Sequence, residues 1–182
     1  KWREEEFDEA HMQALKNKSL TPEVRAALFE GKTTSVEQMA GTYVGQIINK
    51  SGRLREVNFT GTPETIVSAS FTLALTGKAD GSNVTAAVLR DLSPTYVDVE
   101  LRRTADIRQF VETLIDFGVF DEELSGQLLD AFNADDSARM AEIVQVLVNQ
   151  IPTGATAQVT IELRRKIKDP KYPYNYTGFQ AA

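Results

Sequence analysis

The sequence has no cysteine and a single histidine among its 182 residues. Without cysteine there is no disulfide bond, no thiolate metal site and no cysteine nucleophile. The one histidine, His11, excludes a pair of histidine metal ligands, and its place in a charged helical pattern favours a surface residue over a catalyst. We therefore predict neither a metal nor another cofactor, and the sequence indicates no compartment.

Long apolar segments are also missing from this chain. No run of about 18 apolar residues occurs, so we expect no membrane-spanning helix and no membrane partner. A chain of 182 residues has the length of one domain. At this length folding buries about 70% of the surface that the unfolded chain exposes, without help from disulfide bonds or metal ions. We expect a soluble protein with a sizeable hydrophobic core.

One strand-like motif occurs twice in the chain. Val97–Arg103 reads VDVELRR, and Val159–Arg165, 62 positions later, reads VTIELRR. Both copies alternate apolar and polar residues with period two, as a strand does between a core and water. A parallel pair would oppose like charges, whereas an antiparallel pair with Glu100 opposite Arg164 makes the outward charges complementary. We predict that the two copies are antiparallel neighbours in one sheet, within a chain or across a subunit boundary.

Residues before the first copy of the motif are predicted to form helices and then strands. Residues 2–18 have a charged helical pattern with a thin apolar stripe, and capping residues at Thr21 and Thr34 predict two short helices after it. The loop-forming residues 49–52 predict a β-hairpin. Alternation and turn residues predict five strands in all, at residues 43–48, 54–59, 66–76, 84–89 and 96–103.

Three helices are predicted between Thr104 and Pro152. Each follows a capping residue, namely Thr104, Asp121 and either Asp135 or Asp136, and Gly118 ends the first helix. Their apolar residues recur with helical period and are expected to pack the three helices together. The packing residues are predicted to be Phe110, Leu114, Leu128, Phe132, Val144 and Leu147.

These patterns together predict an α+β fold. We expect an antiparallel sheet of about five to six strands, with an N-terminal helical arm and a three-helix segment inserted before the last strand. The predicted boundaries are a helical arm at residues 1–20, a single α+β domain at 21–169 and an extended C-terminal arm at 170–182. The proline spacing in that last segment does not suit a helix.

Several patterns resemble functional sites but are better explained by folding. Gly31-Lys32-Thr33 resembles the end of a phosphate-binding loop, yet Ala26 stands where that motif needs glycine. Clustered acids lie at helix starts or on a charged helical face, where capping and the helix dipole account for them. Asp80–Asn83 lacks the remaining ligands of a calcium loop and predicts a turn. We identify no catalytic residues.

The C-terminal segment interleaves positive charge with aromatic residues. Residues 164–171 hold five Lys and Arg against one Asp, while residues 105–142 hold ten Asp and Glu against two Arg. Aromatic arms suit contacts between subunits, and we predict interface residues at Trp2, Phe7, Tyr172, Tyr174, Tyr176 and Phe179. Basic and aromatic side chains together also suit unpaired bases and phosphates. The candidate nucleic-acid contacts are Arg164, Arg165, Lys166, Lys168 and Lys171.

The absence of an assembled catalytic set favours a protein that is not an enzyme. We expect a structural subunit that self-assembles into a homo-oligomer through its terminal arms, and a virion, capsid or similar shell component is the concrete hypothesis. The alternative is a nucleic-acid-binding protein that uses the basic and aromatic segment 164–176. A hydrolase built on carboxylates ranks third.

Overall fold

A computed structural model describes residues 39–58, 61–163 and 174–182 of the chain. These residues form one antiparallel sheet of five strands in the order β3-β2-β1-β4-β5, together with four helices. The strands are β1 (Gly41–Val57), β2 (Glu64–Lys78), β3 (Thr95–Glu100), β4 (Thr156–Leu163) and β5 (Tyr174–Ala181). The helices are α1 (Ala86–Leu92), α2 (Thr104–Asp116), α3 (Glu122–Asn133) and α4 (Ser137–Asn149).

The α+β class and the antiparallel sheet are therefore confirmed. The predicted N-terminal arm and the two short helices after it lie outside the described residues. The chain divides into two compact units. The first unit comprises Lys1–Tyr43, Gly77–Leu92 and Val159–Gly178, and the second comprises Val44–Thr76, Ser93–Gln158 and Phe179–Ala182.

The three predicted helices α2, α3 and α4 are present in the second unit, and α3 and α4 begin after predicted capping residues. Asp121 accepts a hydrogen bond from the Leu124 amide, and Asp136 accepts one from the Arg139 amide. The cap of α2 is Arg103 rather than Thr104, which is the first helical residue. Five of the six predicted packing residues are buried, and Phe132 is half-buried.

The described part of the first unit contains a buried tyrosine with a satisfied hydroxyl. Tyr43 is fully buried and donates a hydrogen bond of 2.8 Å to the carbonyl oxygen of Met39. The Lys78 ammonium lies 5.7 Å from the centre of the Tyr43 ring. Burial raises the pKa of Tyr43, so the hydroxyl remains neutral at ordinary pH. The Tyr174 hydroxyl also contacts Met39, at 2.8 Å from Sδ.

The predicted hairpin at residues 49–52 is wrong, because β1 continues through it. Gly52 lies against α4, and a Cβ there would come within 2.7 Å of the Ala141 carbonyl oxygen. The Gly52 amide also donates to the side chain of Gln145 at 3.0 Å. Glycine in a strand often marks such a close backbone approach. Residues 49–52, which are of types common in turns, thus lie where β1 passes close to α4.

The strand predicted at 84–89 is also wrong, because these residues begin α1. Thr85 caps this helix through a hydrogen bond of 3.2 Å from the Val88 amide to its hydroxyl oxygen. Ala86 and Ala87 then supply strong helix formers. Val88 and Leu92, four residues apart, are the buried side chains. The cap and this i, i+4 spacing were the missed signals.

The two copies of the repeated motif are in one sheet but are not neighbours. β3, the first copy, is an edge strand whose partner is β2, whereas β4, the second copy, lies between β1 and β5. The prediction of an antiparallel pair between them is therefore wrong within the chain. The acids of β3 are matched instead by arginines of β1: Arg55 contacts Glu100, and Arg53 lies 3.8 Å from Asp98.

The C-terminal arm predicted at 170–182 is a strand of the chain's own sheet from Tyr174 onward. Phe179 is 8% exposed, and its ring stacks on Phe71 at 4.4 Å between centroids and contacts Phe117 at 5.9 Å. Tyr174 is 5% exposed. Both side chains, predicted to face another subunit, are therefore covered within their own chain.

Candidate functional site

Charged side chains line a cleft of about 500 Å³ in the second unit. Antiparallel pairing places Ser68 of β2 opposite Glu100 of β3, so the start of β2 lies beside the end of β3. The chain then enters α2 directly, which brings the first residues of that helix to the same place. The lining residues are Glu64, Glu100, Arg102, Arg103 and Asp106.

Each acid of the cleft has an arginine partner. The Arg102 guanidinium donates to both carboxylate oxygens of Glu64 at 2.9 Å, which is the bidentate geometry that arginine favours. The Arg55 guanidinium contacts Glu100. Because these side chains are a third or more exposed, each pair contributes only about 0–1 kcal/mol. The pairs define the shape of the cleft more than its stability.

Asp106 is the best-held carboxylate of the cleft. It accepts hydrogen bonds from the Arg102 and Arg103 amides at 2.9 and 2.8 Å and from the Arg103 guanidinium at 3.2 Å. Burial alone would raise the pKa of Asp106, but these hydrogen bonds and the Arg103 charge outweigh it and lower the pKa. The carboxylate is therefore ionised at ordinary pH and serves as the capping group of α2.

This arrangement favours a structural junction over a reacting centre. General acid–base catalysis needs a group whose pKa lies near the working pH. The pKa of Asp106 is moved away from neutrality. Within the described residues there is also no group of three or more His, Cys, Asp or Glu side chains placed to hold a metal ion.

The contacts of Arg53 and Arg55 with the acids of β3 were not predicted from the sequence. These two residues have the i, i+2 spacing of Asp98 and Glu100, which places each pair on one face of its strand. Arg164 and Lys166, at the second copy of the motif, have the same i, i+2 spacing. Charge complementarity alone was therefore consistent with more than one partner strand for the acids of β3. Only the strand order β3-β2-β1 shows which arginines are used.

The structure describes three of the eleven predicted contact residues. Tyr174 and Phe179 are buried and Tyr176 is half-buried. The other eight lie outside the described residues: Trp2, Phe7, Arg164, Arg165, Lys166, Lys168, Lys171 and Tyr172. Contacts between subunits or with nucleic acid through these side chains stay predictions.

Large apolar side chains remain exposed at several places in the second unit. The most exposed is Tyr96 of β3, at 60%. The others are Ile48, Leu54, Ile115, Phe120, Leu129 and Val146. Apolar residues scattered singly are normal on a surface, so grouping along the chain matters more than their number. Ile115, near the end of α2, and Phe120, just before α3, lie at the two ends of the short connection between these helices.

Comparison with protein families, curated proteins and solved structures finds no match for this chain. None of the helices in the described segments has the length and apolar character needed to cross a membrane. The function of the chain must therefore be inferred from the surfaces of the fold itself.

Proposed function

We propose that this chain is a non-enzymatic structural subunit that self-assembles, as a virion or similar shell component does. The observation that carries the proposal is the character of β5, an edge strand of the sheet. Edge strands present unpaired N–H and C=O groups to other chains, so proteins usually protect them with charge, proline or short length. β5 has none of these protections.

The two edges of the sheet differ in this respect. β3 has six residues and carries the acids Asp98 and Glu100. β5 has eight residues, YNYTGFQA, with no charged residue and no proline. Asn175, Thr177 and Gln180 of β5 are exposed. β3 thus resembles a protected edge, whereas β5 suits pairing with a strand of another copy.

The register shows which amides of β5 point outward. The Ala182 amide donates to the Thr156 carbonyl oxygen at 3.1 Å, and Gly178 lies beside Thr160. Since hydrogen-bonded positions alternate in an antiparallel pair, the amides of Phe179 and Ala181 are directed away from β4 at this end of β5.

This geometry changes how the C-terminal segment would act between subunits. Tyr174 and Phe179 are turned into their own chain, so the main chain of β5 is the part offered to a partner. Each main-chain hydrogen bond across such an edge contributes about 0.5–1.5 kcal/mol. Four or five in a row would give a specific interface without large aromatic contacts.

The test is the solution mass of the full chain and of an Ala181→Pro variant. Proline removes one outward amide and is tolerated on an edge strand, so the fold should persist while the mass falls toward the monomer. Ala181→Ser keeps the amide and is the matched control, for which the wild-type mass is expected. Light scattering reports the mass, and circular dichroism reports the fold.

A monomeric wild-type chain at high concentration would overturn the proposal. If that monomer also retained single-stranded nucleic acid in a salt-dependent way, the alternative function through residues 164–176 would be favoured instead. No described residue supports that alternative at present, because its five basic candidates lie outside the described residues.

A further inference from the structure

The connection between α2 and α3 is exposed, apolar and acidic. We call it the acidic tip and define it by Ile115, Asp116, Phe120, Glu122 and Glu123. Ile115 is 53% exposed and Phe120 is 48% exposed. These two large apolar side chains are five positions apart in the chain, and covering them by a partner would remove apolar surface from water.

The acidic tip is held in place by its own chain. The Gly118 amide donates to the Ile115 carbonyl oxygen at 2.9 Å, and the Val119 amide donates to the Leu114 carbonyl oxygen at 3.0 Å. Between the exposed residues, Phe117 packs its ring against Phe179 at 5.9 Å. Ile115 and Phe120 are therefore presented on an ordered turn.

Glu122 and Glu123 lie in the first turn of α3, where the helix dipole favours acids, but the charge of Asp116 is not explained by folding. Asp116 lies in the last turn of α2, where the helix dipole disfavours an acid and where no basic residue compensates. Glu112, one turn earlier, adds a like charge at i, i+4 spacing. No cation of the described chain pairs with Asp116, Glu122 or Glu123. A charge that the helix dipole disfavours and that no nearby cation compensates is typical of a functional surface.

A partner for this surface must offer positive charge together with apolar groups. The segment 164–172 has that character, since it holds five Lys and Arg, one Asp, Ile167 and Tyr172. We propose that the acidic tip of one copy binds the basic segment 164–172 of another copy. This inference rests on the proposed self-assembly and names one of its contacts.

Such a contact joins two different surfaces. Heterologous contacts of this kind close into rings or extend into filaments, which suits a shell or tube component. Exposed charges attract over about 8–10 Å at moderate salt, so the contact should form quickly and weaken as salt is added. Ile115 and Phe120 would supply the part that salt does not screen.

Two charge-reversed variants test the contact. The tip variant is Asp116→Lys with Glu122→Lys, and the segment variant is Arg164→Glu with Lys166→Glu. Like charges then face each other in each variant alone, and we expect association at low salt to weaken by about tenfold or more. A 1:1 mixture should assemble again, because each altered surface meets its complement on the other variant.

The control variant is Asp130→Lys with Glu142→Lys, which changes the net charge by the same amount on helix positions away from the tip. Its association should match that of the wild type. If both charge-reversed variants assemble like the wild type, the inference is wrong while self-assembly stands. If each charge-reversed variant associates more weakly and the mixture does not regain wild-type association, the inference is also wrong. That result would indicate a contact within one chain.

A monomeric wild type would instead remove the proposed function itself, so the two failures are distinguishable. The segment variant lies outside the described fold, and it keeps the test decisive if the tip variant does not fold. Native mass spectrometry of the mixture reports whether both variants alternate in one assembly.

Discussion

The two copies of the repeated motif have nearly the same sequence but different surroundings. β3 is at the edge of the sheet, with β2 as its neighbour, whereas β4 lies between β1 and β5. At equivalent positions, Val99 is half-buried and Ile161 is fully buried. The same alternation therefore produces a strand in both places, but the amount of apolar burial depends on the position in the sheet.

The polar rows of the two copies differ in the same way. Asp98 and Glu100 of the edge copy contact arginines of β1. Thr160, which replaces the aspartate in the interior copy, contacts Thr42 at 3.0 Å between hydroxyl oxygens. Glu162 is exposed. A shared pattern thus fixes which face of a strand is polar, while the partners of that face are set by neighbouring strands.

The largest expected difference between the copies is in their apolar rows. Ile161→Ala should lower the free energy of unfolding by about 2–5 kcal/mol, because it leaves a cavity at a fully buried site. Val99→Ala should cost about 1 kcal/mol or less, because that side chain already contacts water. Urea unfolding of both variants measures this. Equal losses would show that the edge and interior positions are energetically alike.

The second difference lies where the first copy ends. Asp106 caps α2 there, and the equivalent position of the second copy is Lys168. We expect Asp106→Asn to cost about 1 kcal/mol at neutral pH. Because the folded pKa of Asp106 is lowered, its contribution is present above about pH 4 and is lost as the pH falls through the folded pKa.

The free energy of unfolding, measured at pH 7 and again at pH 3, tests this direction of the pH dependence. The gap in unfolding free energy between wild type and Asp106→Asn should narrow in acid. A gap that stays constant or widens at low pH would contradict the assignment of Asp106 as an ionised cap.

The smallest expected difference is between the two equivalent glutamates. Glu100→Gln removes the charge that Arg55 contacts and should cost about 1 kcal/mol at low salt. Glu162→Gln changes an exposed carboxylate and should stay within about 0.5 kcal/mol of wild type. The first loss should shrink in 1 M salt. Thermal unfolding with and without salt compares the two variants, and equal shifts would argue against a distinct role for the Arg55 pair.

Local patterns in the sequence were sufficient to predict much of the second unit. Helix α3 follows from Asp121, an apolar row containing Leu128, and a connection to the next helix, all within about a dozen residues. The alternation of β2 and of both copies of the motif likewise predicts strands. These features were predictable because they depend on interactions between residues close in the chain.

Where local signals competed, the tertiary structure decided. Residues 49–52 have turn chemistry, but the approach of α4 to Gly52 makes a continuous strand compatible with them. At 84–89 the Thr85 cap prevails over a β-prone run. The charged cleft was not predictable either, because it needs Glu64 and Arg102, which are distant in sequence, to meet at the ends of paired strands.

The sequence by itself determined that the motif forms a strand twice, and which face of each copy is apolar, since both follow from period two. Only the tertiary structure decided the neighbours of each copy. Glu100 can be matched by Arg55 or by Arg164, because both arginines carry the same charge at the same spacing. The order of strands in the sheet, set by the packing of the whole chain, selects Arg55.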